Sequence, residues 1–140
     1  MMIRALAIGL ILAAAVPALA GELERVPPVT HAATKEECGS CHMAYQPAFL
    51  PAASWNAIMD NLSNHFGENA GLPADTAADI RQYLTGHAGR GNGAVQRISD
   101  LRWWQKEHRR ISDAGWKKAG SKAACQACHT GAEQGMFEDD

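Results

Sequence analysis

The sequence predicts a mainly α-helical protein, and three observations carry this prediction. Apolar residues recur every three or four positions in separate segments, which places them on one face of a helix. No segment shows the alternating, β-branched pattern that marks strands. Gly, Pro and Ser residues stand between the periodic segments, where they end helices and form turns. The 140 residues suffice for one domain.

Four helices are predicted from this periodicity. They span residues 55–66, 75–85, 99–111 and 113–119. Ser54 is a good N-cap for the first helix, and Gly67 ends it. In the first and third helices a histidine, His65 or His108, shares the apolar stripe with Ile, Leu and Trp residues. These two histidines are therefore candidates for buried, functional positions.

The remaining segments predict loops. Residues 22–34 contain Pro27-Pro28 and read as an extended lead-in. Residues 43–53 contain two prolines, which disfavour a long helix there. Residues 86–93 are rich in glycine and predict a loop or hinge between the two halves of the chain.

The first 20 residues form a separate targeting segment. Arg4 gives a positive start, residues 5–16 are apolar, and Pro17–Ala20 ends in the small residues that signal peptidase recognises. The apolar run is shorter than the roughly 20 residues that a transmembrane helix needs. We therefore predict cleavage after Ala20, one domain over residues 21–140, a periplasmic location and no stable membrane insertion.

The charge balance argues against two classes of partner. Removal of residues 1–20 leaves 12 basic and 15 acidic side chains, a net charge of −3 with neutral histidines. Nucleic acids and anionic membranes bind clustered basic residues, so neither is predicted as a partner. Lys117, Lys118 and Lys122 form a small basic group. A solvated helix face is the simpler interpretation, and a docking patch for an acidic partner is the alternative.

All four cysteines fall in two C-x-x-C-H motifs. These are Cys38-Gly39-Ser40-Cys41-His42 and Cys125-Gln126-Ala127-Cys128-His129. Disulfides or a four-thiolate zinc site would explain cysteine pairs, but neither needs the histidine that follows. Covalent c-type haem attachment needs every position, because two thiols bond the porphyrin and the imidazole binds iron. We therefore predict two c-type haems that form much of the core, with His42 and His129 as proximal iron ligands.

Four further histidines are available as the sixth ligand of each iron. His65 and His108 are preferred, because both are predicted on apolar helix faces. His31 in the lead-in and His87 in the glycine-rich loop are the alternatives. The methionines are interpreted as packing residues, namely Met43, Met59 and Met136. The sequence leaves open which distal histidine serves which haem, although local pairing closes the shortest loops.

Several stretches that contain or flank the cysteine motifs are distinctive. They are Glu37–Tyr45, Leu50–Trp55, His65–Ala70 and the region from Trp104 to Phe137. Together they resemble the small periplasmic dihaem cytochromes c over essentially the whole mature chain. The resemblance implies bis-histidine ligation, with His65 and His108 as distal ligands. It also implies electron donation to a small oxygen-binding monohaem cytochrome, with a membrane cytochrome b as the electron source.

Two six-coordinate irons would leave no open position for a substrate. We therefore predict an electron carrier rather than an enzyme, passing electrons between a membrane cytochrome and a soluble haem protein. The alternative is a small dihaem peroxidase or reductase with one open iron, and a haem-based sensor is a third class. Carbon monoxide added to the reduced protein distinguishes the carrier from the other two, because it binds only an open or labile iron.

Overall fold

This computed structural model describes residues 24–93 and 95–138, in which five short α-helices are joined by 3₁₀ turns and loops. They are α1 (Ala32–Cys38), α2 (Ala52–Met59), α3 (Ala74–Gly86), α4 (Arg102–Glu107) and α5 (Asp113–Ala119). The predicted mainly α class is confirmed, since the described ranges contain isolated β-bridges but no strand. The predicted signal peptide lies outside them. No helix within them is long and apolar enough to cross a bilayer.

Helices α2 and α3 pack against each other and form the main hydrophobic core. The buried apolar residues of this cluster are Leu50, Trp55, Ile58, Met59, Ile80 and Leu84. Ile80 and Leu84 lie on the predicted stripe of α3, which is confirmed. Full burial of one such side chain stabilises the fold by about 1.5–3 kcal/mol. The indole N–H of Trp55 donates to the carbonyl of Pro47 at 2.9 Å, so its polar atom is satisfied inside the core.

The predicted extended lead-in is wrong for its last three residues. The chain is extended up to His31, but α1 begins at Ala32. The segment after Pro28 contains no proline, and its Ala, Lys and Glu residues are good helix formers. Helix α1 ends at Cys38, and Gly39 follows where a side chain would clash with the carbonyl of Lys35. The first cysteine pair is thus presented at a helix end.

Helix α2 differs from the prediction at both ends. It begins at Ala52, with Pro51 rather than Ser54 at the N-cap position. Ser54 is buried instead, and its hydroxyl donates to the carbonyl of Val95 at 2.5 Å. The helix ends at Met59, because residues 60–64 are Asp, Asn, Leu, Ser and Asn, mostly poor helix formers. His65 therefore lies beyond the helix, after a 3₁₀ turn, and the prediction that placed it on a helix face is wrong.

The predicted helix over residues 99–111 is also shorter in the structure. A 3₁₀ turn over Ile98–Asp100 is followed by extended backbone at Leu101, which separates it from α4. Helix α4 ends at Glu107, and His108 occupies its C-cap. The carbonyl of Trp104 accepts both the backbone N–H of His108, at 3.0 Å, and its ring Nδ1–H, at 2.8 Å. The side chain of His108 thus closes the helix.

Two other predicted elements agree with the structure. Helix α5 has the predicted limits, and the Ser112 hydroxyl caps it by accepting from the N–H of Gly115 at 3.2 Å. The glycine-rich segment is a loop that crosses the start of α2. Its Gly89 donates to the carbonyl of Leu50 at 2.9 Å, and a side chain there would clash with the carbonyl of Ala48.

The two ends of the described chain are joined. Val26 N–H donates to the carbonyl of Gly135 at 2.9 Å, and Phe137 N–H donates to the carbonyl of Glu24 at 2.7 Å. Gly135 has a φ of 79°, and a side chain there would clash with the carbonyl of Val26. An ion pair of 2.7 Å between Arg25 Nε and a carboxylate oxygen of Glu138 extends this joint, although both side chains are exposed.

Candidate haem-binding sites

The first histidine pair is His42 and His65. Their ring centroids are 6.2 Å apart, and the ring planes are inclined by 25°. His42 follows α1, directly after the first cysteine pair. His65 is held by a tight turn, in which its N–H and carbonyl exchange hydrogen bonds with Glu68 at 2.7 and 3.1 Å. Phe66 within this turn has a φ of 55°, a left-handed conformation that is uncommon for a bulky residue.

The second pair is His108 and His129. Their ring centroids are also 6.2 Å apart, but the planes are inclined by 80°. His129 follows the 3₁₀ turn Cys125–Ala127, and its N–H donates to the carbonyl of Cys125 at 2.9 Å. The structure thus brings all four predicted iron-ligating histidines together in two pairs, each local in sequence.

Both separations fit an iron held between two imidazoles. A metal–imidazole bond is about 2.0 Å and the ring centre lies ~1.1 Å further, so two rings on one metal have centres about 6.2 Å apart. Directly packed aromatic rings have centroids about 4.5–7 Å apart, so the distance by itself fits both arrangements. The metal is indicated by the cysteine pair that precedes one histidine of each pair.

Hydrogen bonds set the tautomers of two of these rings. His42 Nδ1 lies 2.7 Å from the carbonyl of Met43, and His108 Nδ1 lies 2.8 Å from that of Trp104. A carbonyl only accepts, so each Nδ1 carries the proton. The opposite nitrogen, Nε2, keeps its lone pair and is free to bind a metal. Burial, with additional contributions from His42 and Arg97, lowers the pKa of His65 and so favours its neutral, ligating form.

The two cysteine pairs have the same pattern of exposure. Cys38 and Cys125 are half-buried, whereas Cys41 and Cys128 are exposed, and all four are free thiols. Burial raises the pKa of both Cys38 and Cys125. Each motif therefore presents one thiol at the inner wall of its site and one at the rim, and neither motif forms a disulfide.

The alternative histidines are engaged elsewhere. His31 and His87 flank the ring of Tyr83, with centroid distances of 4.8 and 4.6 Å. His31 Nε2 also lies 3.2 Å from a carboxylate oxygen of Asp79. Among the methionines, Met43 and Met59 are buried, which confirms them as packing residues, whereas Met136 exposes 41% of its surface.

Two residues that the sequence analysis did not single out connect the sites. The ring of Tyr45 stacks on His42 at 4.7 Å, and its hydroxyl donates to the carbonyl of Ala123 at 2.7 Å. Gln46 is fully buried, and its Nε2 donates to the carbonyl of Ala132 at 2.7 Å. Each belongs to the segment after the first motif and bonds to a backbone that flanks the second.

Two buried atoms near the second site have no hydrogen-bond partner among the described residues. They are the side-chain oxygen of Gln46 and Nδ1 of His129. The first only accepts, and the second donates when Nε2 binds a metal. Buried polar atoms are normally hydrogen-bonded, so these two atoms are expected to lower the stability of the second site.

Aromatic rings line the second site. Trp104 stacks on His108 with centroids 4.1 Å apart and planes inclined by 13°. Trp116 stacks on Trp104 at 5.5 Å. On the other side, Phe137 lies 5.7 Å from His129. The four tryptophans of the sequence favour rings packed on the haems or on each other, and Trp104 and Trp116 pack on each other in this way. The particular ring partners leave no periodic signal in the sequence.

The chain is similar to a known protein family over most of its length. A family model described as dihaem cytochrome c matches residues 34–137. The chain belongs to the dihaem cytochrome c family. Its members carry two c-type haems and transfer electrons, which confirms the predicted cofactors and the general role. No curated protein sequence matches the chain significantly.

Three solved dihaem cytochromes c are similar over most of the chain. A crystal structure of DHC purified from Rhodobacter sphaeroides is 46% identical, with a TM-score of 0.74, covering 79% of this chain and 99% of that chain. A second structure, of diheme cytochrome c from the same organism, is 42% identical, with a TM-score of 0.75 and coverages of 80% and 100%. A diheme cytochrome from Shewanella baltica is 40% identical, with a TM-score of 0.67 and coverages of 76% and 86%.

Proposed function

We propose that this dihaem cytochrome c is a periplasmic carrier that passes single electrons between a membrane cytochrome and a soluble haem protein. The observation that carries the proposal is the pair of opposed histidines at each site, 6.2 Å apart, with one member in a C-x-x-C-H motif. The proposed covalent attachments are Cys38, Cys41, Cys125 and Cys128. The proposed iron ligands are His42 with His65, and His129 with His108.

The chain's own residues hold the ligands and limit the chemistry. When bound, each haem supplies one iron that gains or loses a single electron. Imidazoles on both faces leave no open coordination position, which favours electron transfer over substrate turnover. The hydrogen bonds from Nδ1 of His42 and His108 to backbone carbonyls fix the ring orientation, so little reorganisation accompanies a change of charge.

Tyr45 supports the proposal that the two sites act as one carrier. Its ring stacks on His42, and its hydroxyl bonds to Ala123, two residues before Cys125. The contact joins the ligand of the first site to the attachment segment of the second through one side chain. Burial raises the pKa of Tyr45, so the phenol stays protonated and this hydrogen bond is kept.

The periplasmic location rests on the signal-like pattern of residues 1–20 and on covalent haem attachment, which occurs outside the bacterial cytoplasm. The proposed partners, a membrane cytochrome b and a small oxygen-binding monohaem cytochrome, rest on the family resemblance.

Three measurements on the purified native protein test the proposal. We expect a mass increase of two haems on a chain beginning at Gly21, and a pyridine haemochrome spectrum of c type. We expect two midpoint potentials below those of Met/His-ligated cytochromes, because methionine ligation raises the potential. Carbon monoxide should leave the spectrum of the reduced protein unchanged. A Soret shift with carbon monoxide would instead indicate an open iron and contradict the carrier.

A further inference from the structure

We propose that the α4–α5 face beside the second histidine pair is the docking surface for a redox protein with a carboxylate-rich face. This inference rests on the proposed electron-carrier function and adds the site and the charge of the partner. Five exposed basic side chains of this region are together called the basic face. They are Arg109, Arg110, Lys117, Lys118 and Lys122.

The charges of the chain are segregated along the sequence. Residues 95–122 carry eight basic and three acidic side chains, whereas residues 24–93 carry four basic and seven acidic ones. The protein is acidic overall, with a net charge of −2 for the full chain, so the basic region is a local reversal of sign. A local patch of one sign steers partners of the opposite sign and orients their approach.

The basic face is not neutralised by ion pairs of its own. In the described ranges, arginines pair with carboxylates at Arg25–Glu138 and Arg81–Asp60, both remote in sequence from this face. The one pair in α4 joins neighbours, Lys106 and Glu107, at 3.8 Å. Glu107 and Asp113 are the acidic residues nearest in sequence, and neither bonds to a residue of the basic face in the described structure. The five cations therefore face solvent.

An aromatic stack joins this face to the second site. The ammonium of Lys122 lies 5.8 Å from the ring centroid of Trp116 and 5.9 Å from that of Trp104. Trp116 is half-buried and stacks on Trp104, whose ring in turn lies 4.1 Å from that of His108. A partner that contacts Lys122 is thus separated from a proposed iron ligand by one indole, that of Trp104, with Trp116 stacked beside it. At the first site a single cation has a similar position, because Arg97 lies over the ring of Phe66, next to His65.

The face also includes one exposed apolar side chain. Ile111, in the loop between α4 and α5, exposes 40% of its surface beside Arg109 and Arg110. Specific interfaces combine an apolar centre with a charged rim. At the first site, by contrast, Glu36 and Glu37 precede the cysteine pair. We expect an acidic partner to prefer the second site, where five basic residues lie within residues 109–122.

The redox step at this face is simple. One electron leaves the reduced protein and reduces the one-electron centre of an oxidised partner, with no bond made or broken and no proton moved. The partner is the oxidant, and carboxylates around its redox centre supply the recognition.

The experiment compares two charge reversals of equal size. The variant K117E/K118E changes the basic face, whereas K35E/R90E changes two exposed cations in the acidic half. Each variant is reduced and mixed with oxidised plastocyanin, an acidic copper protein, or with oxidised mitochondrial cytochrome c, a basic one. Stopped-flow absorbance gives the second-order rate constant for electron transfer.

We expect K117E/K118E to lower the rate with plastocyanin about tenfold or more at low ionic strength, and K35E/R90E to change it less than about twofold. The difference should vanish in 1 M salt, where charges are screened beyond about 3 Å. With mitochondrial cytochrome c, K117E/K118E should raise the rate. Equal effects of the two variants would show that only net charge matters, and would overturn the docking surface.

A binding measurement removes electron transfer from the readout. The oxidised protein and reduced plastocyanin do not react, so titration calorimetry or thermophoresis reports affinity alone. We expect the dissociation constant to rise at least about tenfold in K117E/K118E and little in K35E/R90E. An unchanged affinity would contradict the proposal. Absorption spectra and redox titration of each variant distinguish the failure of the two hypotheses. Absent haem or an open iron would refute the electron-carrier function. Normal spectra with no dependence of the rate on the charge of the partner would refute only the docking surface.

Discussion

The two haem-binding sites share a sequence motif and a ring separation, but the chain supports them differently. Beside the first site, α2 and α3 bury a cluster of apolar residues against each other. Within residues 95–138, only Trp104 and Ala132 are buried apolar residues. The second site is instead surrounded by stacked rings and short helices. The same C-x-x-C-H motif can therefore lie beside a hydrophobic core made of side chains, or in a region where the haem supplies much of the apolar surface.

Loss of the covalent haem attachment should have the largest effect and should differ most between the two sites. In C125A/C128A we expect trypsin to cleave within residues 102–122 at least about tenfold faster than in the native protein, because little apolar burial remains to keep this part folded. The matched variant C38A/C41A removes two thiols from the first site and should not accelerate cleavage there. Mass spectrometry of the fragments locates the cuts. Equal acceleration in both variants would show that the two sites fold as one unit.

Removal of a distal histidine should give the next largest effect. In H65A and in H108A, carbon monoxide should shift the Soret band of about half of the reduced haem, because one of two irons gains an open position. H87A is the control, since this exposed histidine belongs to neither pair, and it should bind no carbon monoxide. H108A should also lose about 0.5–1.5 kcal/mol more unfolding free energy than H65A, because the stack on Trp104 is lost. Carbon monoxide binding in H87A, or its absence in H65A, would refute the ligand assignment.

The amide of Gln46 offers a subtler test of how the second site is held. We expect Q46L to lower the free energy of unfolding by about 1–3 kcal/mol, because the buried carbonyl of Ala132 loses its donor. Q82L changes an exposed glutamine on α3 and should stay within about 0.5 kcal/mol of the native protein. Guanidinium unfolding measures both. A loss equal to that of Q82L would show that this hydrogen bond does not support the second site.

The smallest effect is spectroscopic and needs no mutation. Imidazoles inclined by 25° act on the iron d orbitals along nearly one axis, whereas rings inclined by 80° act along two. Electron paramagnetic resonance of the oxidised protein should therefore show a rhombic low-spin signal from the first site. The second site should give a more anisotropic signal with a larger highest g value. Two rhombic signals would contradict the ring angles.

The chemistry of the sites could be predicted because it lies in adjacent residues. A histidine directly after a cysteine pair indicates haem attachment whatever fold surrounds it. The structure brings His65 close to His42 and His108 close to His129, but the predicted positions of His65 and His108 inside helices are wrong. Both lie just past a short helical element, where the backbone turns and presents the ring. Apolar periodicity identified buried residues without fixing where the helices end.

The connections between the sites could not be predicted. Tyr45 bonds to a backbone carbonyl 78 residues away, and Gln46 bonds to one 86 residues away. Such contacts depend on how the chain folds back on itself, and a single sequence gives no register for them. The ring angles within the two histidine pairs and the stack of Trp104 on His108 depend on side-chain rotamers in the same way. The sequence therefore does not predict the hydrogen bonds and ring contacts that connect the two sites.

The joint between Val26 and Gly135 has a consequence for the order of assembly. The pairing of Arg25 with Glu138 spans 113 positions, so closing this loop is entropically costly and comes after the local contacts. During synthesis, residues 24–26 must wait unpaired until nearly the whole chain has emerged. The contact between residues 24–26 and residues 135–138 is therefore expected to form last, after the two halves of the chain have packed against each other.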